Sequence, residues 1–213
     1  MLVMDKVLVM SKAPLGDFVL SWPALQLLKK NNPHACVYVL LTDYVAPLAQ
    51  ECPWIDEVII LQPGLLGFIK TLLQIRQHKI EHSISFFISF KTALLFFLSR
   101  VKHRVAPKTK LWCVLYNNRF KQKRSQCLYP EYSYNIQLMQ HFLCMPIDPN
   151  SKMQLDYITR DKDFKSNFFA GTKSINAKKN IAVHIGTGKT KGSSTQINTS
   201  QWIKLIKLLN KLP

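Results

Sequence analysis

The chain opens with a short apolar run, a loop that closes on Gly-Asp, and a helical pattern, and units of this kind then recur along it. Residues 6–10 (KVLVM) are apolar almost throughout, as expected of a strand buried on both faces. A loop follows to Gly16. From Asp17 onward Val19, Trp22, Leu25, Leu27 and Leu28 fall on roughly one side of a helix. Pro23 lies in its first two turns, where a helix tolerates proline, and Asn31-Asn32-Pro33 ends it. Further strands are predicted at 37–41, 57–61, 83–88 and 102–105. Helices are predicted at 44–50, 65–77, 92–99 and 132–143. Parallel strands need crossover connections, so this alternation predicts an α/β fold with a Rossmann-like parallel sheet.

Residues 106–130 read as a basic loop. Three segments are expected: a first domain over 1–150, a polar connection over 151–179 with a short helix at 162–169, and the opening of a second domain over 180–213. That opening holds a strand at 180–185, a loop at 186–198 and a helix at 201–212. Thr199 is its expected N-cap, and Trp202, Leu205, Ile206, Leu208 and Leu209 are expected on one buried face.

Formal net charge is +17, from 29 Lys+Arg against 12 Asp+Glu. Such a surplus points to a polyanionic partner: nucleic acid, an acidic membrane face or a phosphorylated glycan. No nucleic-acid module such as a zinc finger is recognisable, so nucleic acid is not expected. Cys36, Cys52, Cys113, Cys127 and Cys144 are odd in number and include no Cys-x-x-Cys pair, which fits a reducing cytosol better than a disulfide framework. The start shows no signal peptide. The most apolar stretch, 83–98, is broken by Lys91 and falls short of the ~20 residues of a membrane span. A cytoplasmic protein is expected, peripheral to a membrane at most.

Four features carry candidate chemistry. At the end of the first strand, Gly16 permits a tight turn and close backbone approach, and Asp17 stands where the helix dipole favours negative charge. Spacing alone leaves Asp17 either a helix cap or a working carboxylate at the strand's carboxyl end. Next, Gly186-Thr187-Gly188-Lys189-Thr190-Lys191-Gly192 follows a strand and offers backbone amides to phosphate oxygens. It is not a P-loop, because Val183 stands where the first glycine of that pattern belongs. It is a diphosphate loop or a surface turn. Then nine Lys and Arg residues between Arg100 and Arg124 face no acidic residue in that stretch, forming either a solvated face or a binding surface. Last, His78-Lys79-Ile80-Glu81-His82 spells a zinc-protease pattern, but His82 runs into a strand, so the two imidazoles cannot share a helical face, and a solvated loop is expected. Phe86, Phe87, Phe90, Phe96 and Phe97 are read as core, with a membrane-touching patch beside Arg100 and Lys102 as the alternative.

The segment KVLVMSKAPLGDFVLSWPAL resembles the opening of family 9 glycosyltransferases: an apolar strand, a loop ending in Gly-Asp, and a helix containing Pro-Ala-Leu. Pro53-Trp54-Ile55-Asp56-Glu57-Val58-Ile59 resembles another segment of that family. Tyr116-Asn117-Asn118-Arg119 and Tyr134-Asn135-Ile136-Gln137-Leu138 fall where related segments occur, and Ile181 to Gly188 resembles the entry to the nucleotide-binding domain. The resemblance implies the N-terminal acceptor domain of a glycosyltransferase B fold, followed by the first strand–loop–helix of the second domain. It implies Asp17 as catalytic base, with Gly16, Gly186, Thr187, Gly188 and Lys191 on the donor. It places Lys108, Lys110 and Arg119 on an acidic glycan acceptor. The implied activity is inverting transfer of heptose from ADP-heptose to lipopolysaccharide core, with no metal and no cofactor. With only the opening of the second domain, the chain is expected to be inactive alone. The alternative is a non-catalytic polyanion-binding protein or a degraded enzyme relic.

Overall fold

The computed structural model describes residues 4–11, 14–150 and 199–209. The chain divides into two compact units, Met1–Tyr157 and Ile158–Pro213. The first contains six strands: β1 (Lys6–Met10), β2 (Cys36–Leu41), β3 (Glu57–Ile60), β4 (His82–Ser85), β5 (His103–Pro107) and β6 (Asn118–Phe120). They form one sheet in the order β3-β2-β1-β4-β5-β6, and every pairing is parallel. The expected α/β fold with a Rossmann-like sheet is what the chain adopts. β6 lies in the stretch read as loop; at three residues, two of them exposed, it shows no apolar run.

β1 sits in the middle with its last four residues buried. Val7 and Val9 point into one core with Val37, Val39, Leu41 and Ile84. That core is covered by α2 (Trp22–Asn31) and α6 (Glu131–Phe142), which pack on each other. Leu8 and Met10 point to the other side, with Tyr38, Leu40 and Ile59. There α4 (Gly64–Gln77), α5 (Phe90–Leu98) and a 3₁₀ turn over Leu111–Leu115 close the layer.

The helix expected from Asp17 is two helices. α1 (Leu15–Val19) ends at Leu20, and α2 restarts at Trp22 with Pro23 in its first turn. Proline has no N–H to continue the ladder of α1, so it sits where a first turn leaves that donor unused. Ahead of β3, a 3₁₀ turn over Asp43–Val45 and α3 (Ala46–Gln50) replace the single helix expected there. Ser89 caps α5 through a reciprocal box with Thr92. Phe86 and Phe96 are core as expected, but Phe90 and Phe97 are about half exposed. In the second unit α7 spans Thr199–Leu209; Thr199 is its first residue, and Leu205 and Leu208 are exposed, against the single buried face expected of them.

His78 closes α4 and His82 opens β4, so the two do not share a helical face. His82 is buried rather than solvated, lying in register opposite His103 with the rings stacked at 4.8 Å and Phe142 edge-on. Burial first, and then His103, push the His82 imidazole below the ordinary histidine range. Protonation therefore favours the unfolded chain. Stability is full above the unfolded value of ~6.5 and falls as pH drops below it. The melting temperature should fall between about pH 7.5 and about pH 5.5, and by less in His82→Gln. Equal falls in the two proteins would remove His82 from this account.

Candidate functional site

The loops that leave the carboxyl ends of the strands build the site. Strand order reverses between β1 and β4: from β1 the chain passes outward to β2 and β3, then returns to the far side of β1 as β4. Loops diverge at such a switch point and leave a crevice. Here it holds a cleft of about 360 Å³ lined by Ser11 after β1, Asp17, Phe86 and Phe87 after β4, and Arg124, Glu131 and Asn135. A second cleft of about 450 Å³ shares Phe86, Phe87, Arg124 and Glu131 and continues to Lys108, Thr109 and Lys110 after β5.

Asp17 is exposed in the first turn of α1, whose N-cap is Pro14. The capping reading of Asp17 therefore fails, and its carboxylate is part of the cleft wall. Glu131, the other acid in that wall, is paired with Arg124. Among the described residues Asp17 has no ion pair. Gly16 is helical, and a Cβ there would meet nothing within 4 Å, so no turn or packing within the described chain requires glycine.

Arg124 is the best-held cation of the cleft. One Nη donates to Glu131, Nε donates to Gln122 Oε1 at 3.0 Å, and the other Nη donates to Asn135 Oδ1 at 3.2 Å. Its guanidinium lies 5.5 Å from the Tyr134 ring centroid. Burial pulls its pKa down, and Glu131 opposes that shift. Arginine stays charged under such desolvation, so the cleft carries a fixed positive group. Asn135 Nδ2 in turn donates to the Leu20 carbonyl at 3.1 Å, at the end of α1. Arg124, Asn135 and Leu20 thus tie the basic loop to the helix that carries Asp17.

Lys108 and Lys110 line the second cleft as exposed cations. Lys108 N–H donates to the Phe120 carbonyl at 2.7 Å, and the Lys110 ammonium sits 4.3 Å from the Phe87 ring centroid. Arg119 is exposed on the edge strand β6 and lines neither cleft. Gly186, Thr187, Gly188 and Lys191 lie outside the described residues. So does Asp161-Lys162-Asp163, an Asp-x-Asp that a search for diphosphate–metal motifs would flag. Among the described residues no group of three or more His, Cys, Asp or Glu side chains gathers as a metal site would require.

The sequence pattern gave Glu131 no role, marked Asn135 only as part of a resembling segment, and marked Arg124 only as one of a basic run. Other resembling segments prove to be structural. Asp56 Oδ2 accepts from Val37 N–H and pairs with Lys29, both at 2.6 Å. Asn117 bonds the backbones of Lys102 and Arg104.

An open parallel sheet with a carboxylate at its switch point is the architecture of a Rossmann-like α/β domain with a ligand crevice. No family model matches the sequence. A putative glycosyltransferase of Haemophilus influenzae is 35% identical over 210 residues, which are 96% of this chain and 60% of that protein. Among solved structures, the fold matches an E. coli heptosyltransferase with ADP-2-deoxy-2-fluoro heptose (TM-score 0.69, 15% identity, 97% of this chain, 66% of that one). It also matches E. coli ADP-heptose lipopolysaccharide heptosyltransferase II (TM-score 0.60, 21% identity, 78% and 50%). A family 9 glycosyltransferase of Veillonella parvula matches likewise (TM-score 0.63, 16% identity, 80% and 50%). The chain is thus similar to a putative glycosyltransferase and shares the fold of solved heptosyltransferases, and it spans 60% of the length of the curated relative it matches.

If the Arg124–Asn135–Leu20 link holds the cleft together, Asn135→Ala should lower the urea midpoint. The lost bonds are worth about 2 kcal/mol, since a buried guanidinium donor and a carbonyl are left unpaired. An unchanged midpoint would show that the link contributes nothing.

Proposed function

We propose that this chain is the acceptor side of an inverting glycosyltransferase that moves heptose from ADP-heptose onto lipopolysaccharide core. One observation carries the reading: Asp17, exposed and without an ion pair among the described residues, stands at the switch-point crevice, and a cationic wall of Arg124, Lys108 and Lys110 continues from it. The relatives supply the chemical class, and the basic wall suits phosphates and acidic sugars.

In the proposed reaction the acceptor hydroxyl gives its proton to the Asp17 carboxylate while its oxygen attacks the anomeric carbon. The bond from that carbon to the diphosphate breaks, and ADP leaves with the electron pair. A single displacement inverts the anomeric centre. Thr187, Lys191 and the amides of Gly186 and Gly188 are the proposed partners of the diphosphate, with Gly16 giving the donor close access to α1. No cofactor or metal takes part, so a chelator should leave transfer unchanged. The proposed site of action is the cytoplasmic face of the inner membrane; no helix among the described residues is long and apolar enough to cross one.

Asp17→Asn keeps the side-chain volume and removes the base. In the protein carrying this chain, transfer from ADP-heptose to heptose-deficient lipopolysaccharide should fall by ~10²–10⁴-fold, with the melting temperature unchanged. Wild-type transfer by folded Asp17→Asn would exclude the base role. Lys108→Ala with Lys110→Ala should raise the KM for acceptor, more at low salt where charge is less screened, and leave the KM for donor alone. A change confined to the donor KM would misplace the cationic wall.

A further inference from the structure

The layer formed by α4, α5 and the 3₁₀ turn carries an outer surface that the transfer reading does not use. On α4, Leu65, Leu66, Ile69 and Leu73 are exposed, the first two to 76% and 77%. Residues 65, 69 and 73 share one side of the helix, opposite the buried Gly67, Thr71 and Ile75. On α5 the exposed apolar residues include Phe90 and Phe97; on the turn they are Leu111, Trp112 and Val114. These elements are neighbours on one face of the sheet. α5 packs against both α4 and the turn, and the Phe90 and Trp112 rings lie 4.7 Å apart. Arg76 Nη2 donates to the Leu98 carbonyl at 2.7 Å, tying the end of α4 to the end of α5. The opposite layer differs: neither α2 nor α6 exposes a large apolar side chain.

The charge around this surface has one sign. From residue 58 to residue 130 the only acid is Glu81, and it is paired with Lys102 at 2.5 Å. Lys70 on α4 and Arg100 after α5 are exposed cations beside the apolar residues. Leucines and aromatic rings rimmed by Lys and Arg are the composition of a surface that lies in the lipid headgroup region. A second copy docked through the same face would set these cations against themselves. An anionic bilayer meets both the apolar residues and the charge.

We propose that the outer surface of α4, α5 and the turn Leu111–Leu115 is a docking face for an anionic lipid bilayer, with Leu65, Leu66 and Trp112 entering the headgroup–acyl boundary and Lys70 and Arg100 meeting lipid phosphates. The inference stands apart from the transfer reading, because none of these five residues lines the cleft. The test is flotation of the purified chain with vesicles of phosphatidylcholine alone or of phosphatidylcholine with phosphatidylglycerol. Binding should require phosphatidylglycerol and weaken with salt. Lys70→Gln and Arg100→Gln should each weaken it roughly fivefold. Leu65→Glu with Leu66→Glu should weaken it by at least about tenfold, with the circular dichroism spectrum unchanged. The parent should show fluorescence quenching by brominated acyl chains, and Trp112→Phe, which keeps an aromatic ring there, should remove it. No binding to anionic vesicles would overturn the proposal, as would binding that the leucine variant leaves intact, or quenching that persists in Trp112→Phe. So would a dimer in sedimentation that the leucine variant disperses, which would make a second copy the occupant.

Discussion

β1 is hydrogen-bonded along both edges and covered on both faces, and the rest of the first unit follows from that constraint. A five-residue strand enclosed this way has no exposed polar backbone, so strands must flank it on both sides. The chain satisfies one side with β2 and β3 and the other with β4, β5 and β6. Between β1 and β4 the connections run in opposite directions, and the loops at their carboxyl ends part. The cleft that holds Asp17 is therefore a consequence of how a central strand is enclosed, and it forms before any ligand is considered.

Two kinds of interaction then shape that cleft. Packing brings Phe86 and Phe87 over the ends of the strands, and Lys110 lies over the second ring. Hydrogen bonding sets Arg124 between Gln122, Glu131 and Asn135, and Asn135 reaches the end of α1. Burying a guanidinium is costly without such partners, and here each of its three nitrogens donates to one. The contrast with Asp17 is chemical. Arg124 and Glu131 neutralise each other and hold position, while Asp17 has no ion pair among the described residues and faces the cleft.

β1 and β2 were legible because burial on both faces leaves a continuous apolar run, and β3 to β5 were placed to within a few residues from shorter runs bounded by helical patterns. β6 was not, since a short edge strand carries polar side chains. Helix ends were hard to place for a related reason. Lys79, Arg100 and Cys144 follow α4, α5 and α6 with positive φ, and no glycine marks those stops. Asp17, Lys108 and Lys110 line the two clefts, but spacing left the role of Asp17 open, and only the resemblance singled the two lysines out of the basic run. Arg119 differs: it is a strand residue rather than part of the loop after β6, and so it stands away from the cleft. Arg124, Glu131 and Asn135 come together because Glu131 and Asn135 stand four apart on α6 and the preceding loop folds Arg124 onto them, a loop path that no periodic pattern records.

The account's central claim is that Asp17 and the cationic wall address one acceptor molecule. A crystal structure of the protein carrying this chain, bound to heptose-deficient lipopolysaccharide core, tests it most directly. The expected result is an acceptor hydroxyl within about 3.2 Å of the Asp17 carboxylate, with the acceptor's phosphates on Lys108, Lys110 or Arg124. An acceptor bound elsewhere, with the Asp17 carboxylate facing only solvent, would contradict it.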